Sequence, residues 1–309
     1  MTTTNPKILV ILGPTATGKS ALAVRLARAV DGEIISADSR QVYKGLNIGS
    51  GKITEAEMKG VPHHLLDAAS PKRVFTAAQF QKSGQKVIGE IVRRGKTPII
   101  CGGSGFYIQA LVDAMIFPDV PPNRELRAKL EQKTTAELCR ILRKVDGRRF
   151  SEIDKNNPRR LVRAIEIAKT LGKVPKIKKI ADLYNPLFIG LVLGNVELKK
   201  KIKHRLDSRL RQGMIAEVRR LHKDGVSWKR LKSFGLEYRA IADFLQNRGG
   251  KNKGKREMAA KLERNIWQFA KRQMAWFKRD KRIRWFNPQN PKEWLAIKRA
   301  AQKFLADSN

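Results

Sequence analysis

One stretch, KILVILGPTATGKS over residues 7–20, limits what this chain can fold into more than any other. Residues 7–13 form an apolar, β-branched run that stops at glycine, the pattern of a strand buried on both faces of a parallel sheet. Gly13-Pro14-Thr15-Ala16-Thr17-Gly18-Lys19-Ser20 then matches the phosphate-loop spacing, with a strand before it and an amphipathic helix, ALAVRLARAV, after it. In such a loop backbone N–H groups and the helix N-terminus surround phosphate oxygens, Lys19 adds a point charge, and the Ser20 hydroxyl can ligate magnesium. EIISAD, residues 33–38, reads as a second strand that completes a βαβ unit. The expected class is α/β, a P-loop-type parallel sheet flanked by helices, with a helical insertion domain.

The insertion is read from a change in composition. TPIICGG, residues 97–103, is a third strand, preceded by an amphipathic helix over FTAAQFQKSGQKVIGEIVRRG. The prolines of IFPDVPPN, residues 116–123, then mark a boundary, and charged helical sequence follows until the apolar run PLFIGLVLG at 186–194. This divides the chain into a first part of the catalytic core, 1–116, a helical insertion, 117–184, and a second core part, 185–309, that is helical and basic. The last part is expected to hold long helices near 196–223 and 256–280 and a final strand in RIRWFNP. RGGKNKGKRE, residues 248–257, reads as a mobile, solvated loop.

Charge narrows the partner. Lys and Arg number 65 against 28 Asp and Glu, a formal +37, and the excess concentrates in residues 159–179 and 248–284 rather than 8–70. An uneven field of that size attracts a polyanion, most directly nucleic acid. Cys101 and Cys139 lack metal-ligand spacing and fit buried residues of a reducing compartment. No run of about 18 apolar residues occurs, and MTTTNPKILVILG lacks the features of a secretory signal, so a soluble cytoplasmic protein without a membrane segment is expected.

The phosphate loop does not say whether its ligand is a nucleoside triphosphate such as ATP. A kinase or hydrolase of this class usually ends a strand in a magnesium-holding Asp. Here the third strand ends in Cys101-Gly102-Gly103-Ser104-Gly105, with no carboxylate. The acid at a strand end is Asp38. Ligands of open α/β sheets bind beyond the carboxyl ends of the strands, so Asp38, Ser104 and the loop should converge there, with Asp38 either a general base or a turn-capping residue.

GPTATGKS, SADSRQVYKGLNIGSGK, GVPHHLLD, FTAAQF, GGSGFYIQAL, NPRRLVRAIEI, GLEYR and AKRQMAWFKRD follow one another in an order that resembles the bacterial tRNA dimethylallyltransferase family, over roughly residues 7 to 285. That resemblance implies that the loop holds the diphosphate of dimethylallyl diphosphate without hydrolysing a nucleotide, and that the exocyclic N6 of the adenosine 3′ of the tRNA anticodon is alkylated. It implies Asp38 as the base that accepts the N6 proton, Ser104 as a hydroxyl at the reacting centre where many members carry threonine, Lys19, Arg239 of GLEYR and magnesium on Ser20 as charges facing the leaving diphosphate. It implies tRNA contacts at Asp38, Ser39, Arg40, Gln41 and Ser104, at Arg127, at Arg159, Arg160, Leu161, Val162 and Arg163 of the insertion, and at Lys271, Arg272 and Gln273. The insertion would be an arm on the anticodon stem-loop. The base must be flipped out to react, which backbone contacts offset.

The chain departs from the family pattern at Trp267, where arginine is usual, and at Phe234, five residues before Arg239, where a second arginine is absent. His63 and His64 of PHHLLD read as structural. A prenyltransferase acting on AMP or ATP is the alternative within the fold, opposed by the basic insertion, and a P-loop kinase or RNA-binding NTPase is the alternative outside it. A monomer is expected.

Overall fold

The structure is a computed structural model that describes residues 5–180, 183–247 and 252–307. β1 (Lys7–Leu12) runs into α1 (Lys19–Ala29) and returns as β2 (Gly32–Ser36); α2 (Glu55–Met58) and the two-residue β3 (His63–His64) follow. α3 (Ala77–Arg93) leads to β4 (Thr97–Gly102) and α4 (Gly105–Val112). Then come β5 (Met115–Ile116), α5 (Arg124–Glu131), α6 (Thr135–Val145), α7 (Gly147–Glu152), α8 (Pro158–Leu171) and β6 (Lys178–Lys179). The chain continues through β7 (Asn185–Leu191), α9 (Asn195–Arg211), α10 (Met214–Lys223), α11 (Trp228–Ser233), α12 (Leu236–Gln246) and α13 (Asn252–Phe277), and ends with β8 (Arg284–Phe286) and α14 (Pro291–Ala306).

Six strands form one sheet in the order β3-β2-β4-β1-β7-β8, every pairing parallel. β1 is interior, flanked by β4 and β7, and its alternating residues serve two cores. Ile8, Val10 and Leu12 pack on one face with Phe80, Ile88 and Ile91 of α3 and Ile108 and Leu111 of α4. Leu9 and Ile11 pack on the other with Ala23, Val24 and Leu26 of α1 and Ile297 and Ala301 of α14. Burying each such side chain contributes about 1.5–3 kcal/mol, which is why the strand reads as continuously apolar. A third core joins Ile202 and Leu206 of α9, Val218 of α10, Tyr238 of α12 and Leu262 and Ile266 of α13.

The chain divides into two compact units, residues 1–114 with 181–309, and residues 115–180. The second unit starts and ends in the antiparallel pair β5–β6, where Met115 faces Lys179 and Ile116 faces Lys178; it begins two residues before, and ends four residues before, the bounds read from the sequence. Its own core holds Leu130, Leu138, Leu142, Leu161, Val162 and Ile165.

Two expectations change, and one strand has no counterpart in the sequence reading. The helix expected over 196–223 is broken at Gly213, whose φ of 96° ends α9 and starts α10. Residues 252–257 belong to α13 rather than to a loop, and residues 248–251 of that stretch lie outside the described residues. β3 escapes a reading by alternation because it is two residues long; it joins the sheet edge through Ile34–His63 and Ile35–His64 pairing. Among the described residues no helix is long and apolar enough to cross a membrane.

Candidate active site

The phosphate loop leaves β1 through Gly13 at φ 145°, where a Cβ would stand 2.5 Å from the Leu191 carbonyl oxygen of β7, so only glycine fits. Ala16 takes φ 66° and Gly18 φ 87° before α1 begins. A non-glycine residue in the left-handed region costs of order 1 kcal/mol, a cost that surrounding structure sustains at functional loops. Pro14 O organises the turn: it accepts from Thr17 Oγ1 at 2.8 Å and from Lys19 Nζ at 2.6 Å. Burial pulls the Lys19 ammonium down to about 8, against the stabilising field of Asp38 and with Arg205 adding to the depression. Neighbouring Cys101 is buried, which pushes its thiol up to about 12 and leaves it inert.

The ends of β2 and β4 are joined to each other by backbone bonds. Ala37 N donates to Cys101 O at 2.8 Å, and Ser104 N donates to Ala37 O at 3.2 Å. Gly102 is required here, since a Cβ would lie 2.1 Å from Ala37 O. Ser39 N donates to Ser104 Oγ at 2.9 Å, and the two hydroxyls are 3.2 Å apart. Asp38 Oδ1 accepts from Arg40 N at 2.8 Å and Gln41 N at 3.4 Å, which fixes the turn and leaves Oδ2 without a hydrogen bond among the described residues. Asp38 therefore does cap a turn, with one oxygen. Gln41 Nε2 donates to Gly51 O at 3.0 Å, and its Oε1 accepts from Ser36 Oγ at 3.2 Å.

Two arginines that sequence reasoning passed over complete this face. Arg205 of α9 donates to Thr15 Oγ1 in the phosphate loop and has no carboxylate at ion-pair distance among the described residues. Burial pulls its guanidinium down to about 9, and neighbouring Arg209 adds to the effect, while Glu237 and Asp38 oppose it. Arg209 is also lowered by burial; it lies 3.7 Å from Glu237 Oε1, whose other oxygen is 3.3 Å from Arg40 Nη1. Arg40 also donates from Nε to Phe234 O at 3.1 Å and lies over the Phe269 ring at 5.3 Å. No signal separates Arg205 and Arg209 from the other cations of KKKIKHRLDSRLR by composition. Their separation of four residues, beside the buried Ile202 and Leu206, is the one clue the sequence offers.

Other candidates take different places. Arg239 is exposed on α12 and its Nε donates to Lys232 O at 3.2 Å, so the charge that reaches the loop comes from Arg205. In GLEYR it is Glu237 that meets Arg40 and Arg209, and Tyr238 that donates to Glu217 at 2.9 Å. Phe234 joins an aromatic cluster with Tyr43 and Tyr238 beneath Arg230. Gln273 is buried rather than free for RNA: its Oε1 accepts from Thr15 N at 2.9 Å and its Nε2 donates to Gly103 O at 2.8 Å, tying the phosphate loop to the end of β4. Lys271 and Arg272 are exposed, and Trp267 lies under Lys199 and Lys271 at 5.0 and 5.8 Å. His64 pairs with Glu33 at 2.7 Å and His63 Nδ1 meets Val61 O at 2.8 Å, both structural contacts.

In the second unit Leu161 and Val162 are core residues, which withdraws their side chains from an RNA surface. Arg127 forms a bidentate pair with buried Glu166 at 2.9 and 2.7 Å, and Arg163 also pairs with Glu166 while donating to Val120 O at 2.9 Å. Both guanidiniums are committed to holding α5 and the 120–123 segment on α8. Arg159 and Arg160 are exposed, the latter 3.8 Å from Asp154.

Ser20, on the first turn of α1, is exposed and makes no hydrogen bond among the described residues, and no group of three or more His, Cys, Asp or Glu side chains there could hold a metal. A single hydroxyl beside a phosphate loop suits magnesium, which keeps most of its shell as water and phosphate oxygen.

This arrangement has relatives. Residues 41–280 match the model of a family described as IPP transferase. The tRNA dimethylallyltransferase 2 of Treponema denticola is 44% identical over 275 residues, 88% of this chain and 91% of that protein. The tRNA dimethylallyltransferase of Halothermothrix orenii is 37% identical over 98% of this chain and 95% of its own. Among solved structures, the full-length tRNA isopentenylpyrophosphate transferase of Bacillus halodurans is 33% identical over 97% of each chain, with a TM-score of 0.73. A cationic phosphate loop with no acid on β4, a half-committed aspartate beside it, and similarity running nearly end to end agree: the chain belongs to the IPP transferase family.

Proposed function

We propose that this protein transfers the dimethylallyl group of dimethylallyl diphosphate to N6 of the adenosine 3′ of a tRNA anticodon, releasing diphosphate, and acts as a cytoplasmic monomer. The observation that carries the reading is Asp38, with Oδ1 bound to the turn, Oδ2 without a hydrogen bond among the described residues, and the next residue, Ser39, donating its N–H to Ser104, while Lys19 and Arg205 gather positive charge on the phosphate loop. An exocyclic adenine amine is a poor nucleophile because its lone pair is delocalised, so the reaction needs an aligned amine, a proton acceptor and a stabilised leaving group.

Asp38 Oδ2 accepts the N6 proton as the N–C bond forms and the bond from C1 to the diphosphate oxygen breaks. The Ser104 hydroxyl, held by Ser39 N, helps fix the amine. The charge that develops on the departing oxygen is met by loop N–H groups, Lys19 and Arg205; losing one such preorganised donor costs on the order of 3 kcal/mol in related oxyanion sites. Magnesium, held by Ser20 and the diphosphate, would supply further neutralisation of that charge. Gln273 keeps the loop and the 103–104 turn in one register. Exposed Arg159, Arg160, Lys271 and Arg272 supply phosphate contacts for RNA.

Incubation of the protein and magnesium with radiolabelled dimethylallyl diphosphate and, in turn, tRNA, AMP or ATP tests the reading. Label in tRNA at that adenosine is expected. Label in AMP or ATP alone, or phosphate release from ATP without prenyl transfer, would overturn it.

A further inference from the structure

Arg209 stands one turn beyond Arg205 on the same face of α9. Its side chain is only 12% exposed, yet it is poorly partnered: one N–H reaches Gly49 O at 3.4 Å, and its ion pair with Glu237 spans 3.7 Å. A guanidinium carries five donors, and a buried one with so few contacts is held at a cost. The room for it is nevertheless specific. It crosses Gly51, at φ 62°, where a Cβ would lie 1.5 Å from Arg209 Nη2. Arg205 and Arg209 repel one another, and the fields of Glu237 and Asp38 offset them. Glu237, 4% exposed, is divided between Arg209 and Arg40, so neither guanidinium is neutralised by a carboxylate of its own.

We propose that Arg209 is a second anion-binding group of the cradle, added to the phosphate loop and Arg205, that makes the site prefer a diphosphate to a single phosphate, and that Glu237 is its positioning residue and counter-charge. The inference rests on the reading of the cradle as a diphosphate site. The loop and Arg205 grip one phosphate group; Arg209, a turn further along α9, adds its free donors to the next. Glu237 limits that grip, because a buried carboxylate beside the guanidinium competes with the diphosphate for its charge. Arg40, sharing the same carboxylate, couples the turn at Asp38 to the charge balance of the cradle.

The test measures calorimetric binding of inorganic pyrophosphate and of inorganic phosphate, with magnesium, to the full chain and to Arg209→Met, Arg209→Lys and Glu237→Gln. Arg209→Met is expected to weaken pyrophosphate about tenfold or more, the usual loss for a charge-assisted hydrogen bond, and phosphate by no more than about twofold. Arg209→Lys should fall between. Glu237→Gln should tighten pyrophosphate several-fold, the opposite sign, which damage to the fold would not produce. Equal weakening of both anions by Arg209→Met, no weakening, loss of affinity in Glu237→Gln, or a wild-type protein that does not bind pyrophosphate would overturn the proposal. Prenylation of tRNA is followed alongside: an unchanged anion preference in a protein that prenylates tRNA sinks this inference alone, whereas failure to prenylate sinks the functional reading.

Discussion

Glu217→Gln examines the carboxylate that shapes the loop beneath Arg209. Glu217 Oε2 accepts from Asn47 N at 3.0 Å and Ile48 N at 2.7 Å, and Oε1 accepts from Gly49 N at 3.0 Å and the Tyr238 hydroxyl at 2.9 Å. Glu217 and Tyr238 are both buried, and the contact with Glu217 adds to burial in raising the Tyr238 phenol well above its usual range. Glutamine keeps one acceptor oxygen and turns an NH₂ toward two of the four donors. The Tyr238 hydroxyl can rotate to accept from that NH₂, so its better orientation sets the amide against Gly49 N and loses one backbone bond outright. An unsatisfied buried N–H costs about 1–3 kcal/mol, and replacing charge-assisted bonds by neutral ones at Asn47 N and Ile48 N removes about 1 kcal/mol each. The sum is about 3–5 kcal/mol. For a chain of this size that lowers the melting temperature by about 10 °C, read by calorimetry, and hydrogen exchange at residues 47–49 should rise in parallel. A variant that melts within about 2 °C of the parent with unchanged exchange would refute the claim that this carboxylate holds the loop.

Asp38→Asn keeps the acceptor that caps the turn and removes the base, so single-turnover prenylation should fall by about 10²–10⁴ while tRNA affinity changes less than about twofold; unchanged turnover rejects the assignment. Because the folded-state pKa of Lys19 is depressed to about 8, its charge is present below that pH and lost above it, so diphosphate affinity should fall as pH rises through about 8 with proton uptake on binding. Calorimetry in buffers of different ionisation heat detects the proton, and Lys19→Met should abolish it; an equal proton count in the variant assigns the uptake to the ligand. Arg159→Ala with Arg160→Ala should weaken tRNA binding and flatten its salt dependence at constant stability, and an unchanged slope would remove these residues from the RNA surface. Arg127→Ala should instead destabilise residues 115–180 by about 3 kcal/mol or more, because it strips a bidentate partner from buried Glu166; a stable variant with weakened tRNA binding would reverse that assignment.

The sheet and the phosphate loop were legible because β1, β4 and β7 are dominated by apolar runs and the loop leaves β1 at a position with a local steric demand, Gly13. The charges were harder to read. Arg127, Arg163 and Gln273 carry the residue types of an RNA surface, yet their functions depend on partners distant in sequence whose approach only the fold determines: Glu166 for Arg127, Val120 O for Arg163, and Thr15 and Gly103 for Gln273. Arg205 and Arg239 differ in the opposite way: one is among three arginines on basic α9, the other is the one arginine of α12, and which of them reaches the loop depends on how α9 and α12 pack. GLEYR was recognisable as a unit, but Glu237 and Tyr238, rather than its terminal arginine, make the buried contacts.

The β5–β6 pair has a further consequence for chain topology. Because the entry and exit strands of residues 115–180 are hydrogen-bonded to each other, the unit brings its own ends together. The connection from β4 to β7 is thereby shortened, which lowers its loop-closure cost by about 0.6 kcal/mol for each halving of length. A segment built this way can be gained, lost or exchanged as a cassette without re-threading the strands that carry the phosphate loop.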